Sequence, residues 1–65
     1  MLTKRQREIV DLVTRGLTNQ DIGRVLGITE GTVKVHLHAI YAKEEIANRA
    51  ELVYVMLTSK EWNAT

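Results

Sequence analysis

The chain has no cysteine and no proline. Without cysteine there is no disulfide framework and no thiolate-held zinc, and no metal site is expected. No low-complexity stretch, internal repeat or linker-like composition marks a domain boundary. No apolar run approaches the roughly 20 residues of a membrane span, and nothing reads as a signal peptide. These absences point to a reducing cytosol and away from a membrane. Charge of one sign is also lacking: nine Lys and Arg against eight Asp and Glu leave a net charge of +1. A nucleic-acid binder is expected to be clearly basic, so any such role must rest on where the charges sit. No nucleophile–base pair, phosphate-cradling glycine loop or acid pair with a pocket is present. An enzyme, a cofactor and a small-molecule site are therefore not expected.

What is present is 65 residues, enough for one domain over 1–65 and one core. A chain this short buries only about 60% of its unfolded surface, so its stability is expected to be marginal. The β-branched residues fall in helical spacing, and no strand is expected. The expected class is all-α: a four-helix bundle containing a helix-turn-helix, with an ordered core over about 2–60.

Thr3 opens the first helix, and Gln6 three residues on completes a capping box. Ile9, Leu12 and Val13 give the buried stripe, and Asp11 and Arg15 pair on the wet side. Gly16 supplies a left-handed stop, after which Leu17 folds back to the core. Lys4, Arg5 and Arg7 cluster at the start, as a solvated face or, alternatively, as contacts to a phosphate backbone.

Thr18 to Lys43, TNQDIGRVLGITEGTVKVHLHAIYAK, is the most informative stretch. Thr18 caps a short helix and Asp21 suits the positive end of its dipole. Ile22, Val25 and Leu26 are expected to face inward. Gly23 costs about 1 kcal/mol relative to alanine inside a helix, which implies a close approach by another element. Gly27 ends the helix, Ile28 anchors the turn, and Thr29 caps a longer helix over about 30–43. That layout is a helix-turn-helix.

On the longer helix, Val33, His36, Leu37 and Ile40 fall on one broad face, the expected core side. Gly31, Lys34, Val35, His38 and Ala42 fall opposite. Two small residues, an exposed valine, a lysine and a histidine suit the major groove of DNA. Small residues permit close approach, lysine donates to guanine, and an apolar side chain meets a thymine methyl. The bland alternative is a surface helix with a few tolerated apolar residues. His36 and His38, two apart, point in different directions and cannot share an ion. His36 reads as packed and bonded to backbone, His38 as a base or phosphate contact.

The segments LTKRQREIVDLVTRGLTNQDIGRVLGI, TEGTVKVH and ANRAELV together resemble the LuxR-type, NarL/FixJ-like DNA-binding domain of bacterial transcription regulators. The resemblance runs from Leu2 to about Met56. It implies a four-helix fold, double-stranded DNA as partner, a third helix in the major groove and a fourth that builds a homodimer. By position it implies base contacts at Lys34, Val35 and His38. It implies phosphate contacts at Thr18, Asn19, Gln20, Thr32 and Lys43. In many members the domain is the output end of a longer protein carrying a phosphorylated receiver or a ligand-binding domain. The chain is then a stand-alone regulator or an excised output domain, cytoplasmic and nucleoid-associated when bound to DNA.

The chain departs from the family pattern where helix three closes. The family has a leucine and then a glycine after the closing lysine; Glu44 and Glu45 stand there instead. Helical phase puts Glu44 on the core face beside Val33, Leu37 and Ile40, and by the resemblance Glu45 replaces the glycine that tolerates a left-handed turn at the exit of the helix. Either Glu44 turns out to water, or the two helices fuse into one rod, or the change serves assembly or solubility. Asn48 with Glu51 reads as a new capping box, so the helix is expected to break between Lys43 and Asn48.

The fourth helix carries Ala50, Leu52, Val53, Tyr54, Val55, Met56 and Leu57, more apolar surface than the roughly 100° stripe one core requires. Self-association is the preferred reading, with Val53, Tyr54 and Leu57 as the seam. Thr58 to Glu61 begin a polar tail. Trp62 either caps the core or stands apart from it. Two rival readings remain. One is a sigma-factor-like promoter-recognition region, which would need RNA polymerase. The other is a helical protein-interaction module that has lost DNA binding.

Overall fold

A computed structural model of the chain describes residues 1–59. Trp62, with Lys60 and Glu61, lies outside the described residues. Those described form four helices: α1 (Lys4–Thr14), α2 (Asn19–Leu26), α3 (Glu30–Glu44) and α4 (Arg49–Thr58). No strand occurs among them, and none of their helices is long and apolar enough to cross a membrane.

Each helix starts on a side-chain cap. The Gln6 N–H donates to Thr3 Oγ1 at 3.1 Å while the Thr3 N–H donates to Gln6 Oε1 at 2.9 Å, a complete capping box. Thr18 accepts from the Asp21 N–H, Thr29 from the Thr32 N–H and Asn48 from the Glu51 N–H. Each such cap contributes about 1 kcal/mol. At α4 the expected box is displaced by one residue. The Glu51 carboxylate accepts from the Ala47 N–H at 3.1 Å, one position before the cap.

α1, α2 and α3 end alike. A left-handed residue is followed by an apolar one whose N–H reaches back five residues. Leu17 donates to the Leu12 carbonyl at 3.2 Å, Ile28 to Gly23 at 2.9 Å and Ile46 to Tyr41 at 2.8 Å. This is the Schellman closure, which satisfies orphan carbonyls and returns the apolar residue to the core. Gly16 and Gly27 hold the left-handed position in the first two, with φ of 90° and 71°. In the third, Glu45 holds it, at φ 55° and ψ 45°. The helix does break between Lys43 and Asn48, by the same turn used twice before.

The core comprises Leu2, Ile9, Val10, Val13, Ile22, Val33, Leu37, Ile40, Ile46 and Leu52. Several expectations need correction. Val10 is fully buried while Leu12 is only partly so, because the stripe runs through Gln6, Ile9, Val10 and Val13 and its centre lies on the Val10 side. Val25 is 61% exposed. α2 buries Ile22 and Gly23, which rotates Val25 to the outer edge and leaves Leu26 partly covered. His36 is half-buried and makes no hydrogen bond to backbone among the described residues. Glu44 is not enclosed: its side chain is 27% exposed and its carboxylate lies 3.7 Å from the Met1 amine. One turn beyond Ile40, α3 has run past the core, and Ile46 takes the interior place instead.

Gly23 explains how closely α2 meets the turn. A Cβ there would sit 2.6 Å from the Ile28 carbonyl oxygen and 3.4 Å from the Thr29 carbonyl carbon. Backbone occupies that space, so no larger residue fits without moving the turn.

A non-glycine residue in the left-handed region costs about 1–2 kcal/mol. Glu45→Gly is therefore expected to stabilise the fold by about 1 kcal/mol after glycine's own chain-entropy cost. A urea unfolding midpoint measured on both proteins checks this; an unchanged or lower midpoint contradicts it.

Candidate nucleic-acid interface

α3 is held by one flank. Val33, Leu37 and Ile40 are buried, and the opposite flank carries Gly31, Lys34, Val35, His38 and Ala42, all exposed. Val35 is 68% exposed, an apolar side chain left uncovered by the fold. Lys34 enters no ion pair among the described residues. Three other exposed cations are partly neutralised: Arg5 lies 3.5 Å from Glu8, Arg15 3.2 Å from Asp11 and Arg24 3.5 Å from Asp21, whereas Lys4, Arg7 and Lys43, like Lys34, enter no ion pair among the described residues. The His38 ring lies one turn before Tyr41, with centroids 6.4 Å apart and planes tilted at 45°.

Among the glycines, Gly31 stands apart. Gly16 and Gly27 have positive φ, and Gly23 is pressed against backbone. A Cβ at Gly31 would meet only Thr29 Oγ1, at 3.9 Å. The fold leaves room for a side chain there.

Thr18, Asn19 and Gln20 come together at the start of α2, where the first backbone N–H groups have no intrahelical acceptor and the dipole favours an anion. Thr18 Oγ1 accepts from Asp21, which leaves its hydroxyl hydrogen free to donate. Gln20 is exposed and lines an open groove with Gly23, Arg24, Gly27, Ile28, Thr29 and Glu30. Thr32 is exposed, and its hydroxyl lies 2.9 Å from that of Thr29. Lys43 is at the far end of α3, where its ammonium donates to Gln6 Oε1 at 3.3 Å. Lys43 thus ties the exit of α3 to the cap of α1. The start of α2 and the exit of α3 are two separate cationic or donor-rich places, with the Lys34 flank on the rod itself.

On α4, Leu52 faces the core, and Val53 is half-buried. Tyr54 is 67% and Leu57 71% exposed. With Ala50 they share one side of the helix at three- and four-residue spacing. An open groove beside this side is lined by Val13, Gly16, Leu17, Arg49, Ala50 and Val53.

Beside the core residues Val10 and Ile46, one residue that touches the start of α2 was missed by sequence reasoning. Arg49 donates to Asn19 Oδ1 at 2.5 Å and to the Leu17 carbonyl at 2.6 Å. It joins the start of α4 to the start of α2. A faint signal existed: a cation at the first position of a helix opposes the macrodipole, so Arg49 is not there for the benefit of α4.

A family model described as bacterial regulatory proteins, luxR family, matches residues 1–57. The chain is 51% identical over 53 residues to the monoamine regulon transcriptional regulator of Klebsiella aerogenes, covering 82% of this chain and 23% of that protein. It is 46% identical over 50 residues to the nitrate/nitrite response regulator protein NarL of Escherichia coli K12, covering 77% of this chain and 23% of that protein. The chain spans less than a third of the length of the curated relatives it matches.

Proposed function

The chain belongs to the luxR family of bacterial regulatory proteins, a family of DNA-binding transcription regulators and not of enzymes, and from that premise we propose a sequence-specific, major-groove-reading domain. α3 enters the groove with Lys34, Val35 and His38 toward the base edges. The start of α2 braces a phosphate through Thr18, Asn19 and Gln20, and Thr32 and Lys43 hold the backbone farther along the rod. A second copy pairs through Val53, Tyr54 and Leu57 of α4 and reads a half-site about one helical turn away. The setting that fits is the bacterial cytoplasm, at the nucleoid.

The observation that carries this reading is the bare flank of α3: Gly31, Lys34, Val35, His38 and Ala42 are all exposed, while the other flank is sealed in the core. Within the fold neither the uncovered Val35 nor the open Gly31 has a packing role. Base edges use both, the first against a thymine methyl and the second for close approach.

A salt titration of DNA affinity tests the proposal. Phosphate neutralisation gives a steep fall of affinity with salt, and a protein-interaction module gives none. Lys34→Ala is expected to lose about 1–3 kcal/mol of binding and to relax base preference. Unchanged affinity for the selected site contradicts that role. Lys43→Ala is expected to weaken all sequences alike and to reduce the salt slope by about one. A loss confined to one sequence contradicts it. Gly31→Ala separates fold from function. It is expected to raise stability by about 0.5–1 kcal/mol, because alanine is the better helix former, while lowering DNA affinity. Equal or tighter DNA binding by that variant shows that close approach is not needed at position 31.

A further inference from the structure

An asparagine side chain is two-faced: one end accepts and the other donates. At a phosphate the wrong end repels. Asn19 stands at the first position of α2, in the place assigned above to a backbone phosphate. Its Oδ1 is already taken, by the Arg49 guanidinium at 2.5 Å, and its Nδ2 makes no hydrogen bond among the described residues. We propose that Arg49 is a positioning residue for DNA binding: by holding Asn19 Oδ1, it fixes the amide so that Nδ2 donates to the phosphate at the start of α2. This rests on the phosphate role proposed for Asn19.

Three observations support it. A bond from a charged donor is about twice as strong as one between neutral groups, enough to choose between the two amide orientations. The second arm of the fork is anchored on the Leu17 carbonyl at 2.6 Å, so the guanidinium plane is fixed from both sides. Finally, Arg49 has no carboxylate within ion-pair distance among the described residues. Its charge stays uncompensated beside the amino end of α2, where a phosphate gains from it.

The arrangement also has a consequence for assembly. Arg49 belongs to the helix whose Tyr54 and Leu57 are exposed, and Asn19 to the helix that braces the backbone. The amide's orientation therefore depends on where α4 stands.

The test is a double-mutant cycle read as DNA affinity, with unfolding midpoints measured in parallel. The probe is a duplex selected from a random-sequence pool by the unaltered chain. Asn19→Ala and Arg49→Ala are each expected to weaken binding, by about tenfold for loss of a charge-assisted contact. The double variant is expected to be no weaker than the weaker single. Losses that multiply, or an Arg49→Ala protein that binds as tightly as the parent, overturn the proposal and leave Arg49 as a strap between helices. Where Arg49→Ala does not fold, Arg49→Lys takes its place in the cycle. It keeps the charge but lacks a planar fork to reach Asn19 and Leu17 together. Failure of the unaltered chain to enrich or bind any duplex refutes the DNA-binding assignment itself. Binding that survives in Asn19→Ala at full strength removes Asn19 as a contact, and the positioning role with it.

Discussion

The outward face of this molecule depends on how closely two pieces of backbone approach. Gly23 in α2 lies against the Ile28 carbonyl, so close that one added carbon would stand 2.6 Å from the oxygen. That contact and the left-handed Gly27 hold α2 against the entry to α3. With α2 fixed, Ile22 seals the core, and Val33, Leu37 and Ile40 must turn toward it. The flank carrying Lys34, Val35 and His38 is then outward by necessity. Rotation of α3 by one residue would carry Lys34 and His38, or Thr32 and His36, toward the core and turn the buried stripe of Val33, Leu37 and Ile40 toward solvent, so a small domain has little freedom to misplace this face.

A second constraint is repeated rather than unique. α1, α2 and α3 leave by a left-handed residue followed by an apolar one: Gly16–Leu17, Gly27–Ile28 and Glu45–Ile46. The apolar residue closes the helix and joins the core or packs against it, which sets the direction of the next segment. At the third exit the chain keeps the geometry with a glutamate in place of a glycine. The backbone hydrogen bond of Ile46 and its burial outweigh the local strain, and α4 begins where the repeated turn sends it.

Much of this was legible because the interactions are local. Thr3, Thr18, Thr29 and Asn48 act on backbone three residues ahead, so spacing alone identified every helix start. The exposed flank of α3 follows from a single period, and Gly23 announced its own packing. Interactions between distant segments were not legible. Val25 is exposed because contact with the turn fixes the roll of α2, which no period within eight residues reveals. Ile46 was overlooked because it follows the helix end, where periodicity stops. Arg49 was overlooked because its partners, Asn19 and Leu17, are 30 and 32 residues away in sequence. Glu44 was placed on the right helical face, but where the rod outruns the core was not visible.

The bare flank of α3 also bounds how much information a single copy can extract. From Gly31 to Ala42 the rod advances about 16 Å, at about 1.5 Å per residue. Base pairs stack about 3.4 Å apart, so this length lies against about five of them. A word of five letters recurs about once in a thousand positions, whereas a genome offers about a million or more competing sites. Under the proposed docking, one such domain would recognise a syllable and not an address. A unique location would require at least two syllables spelled at fixed separation.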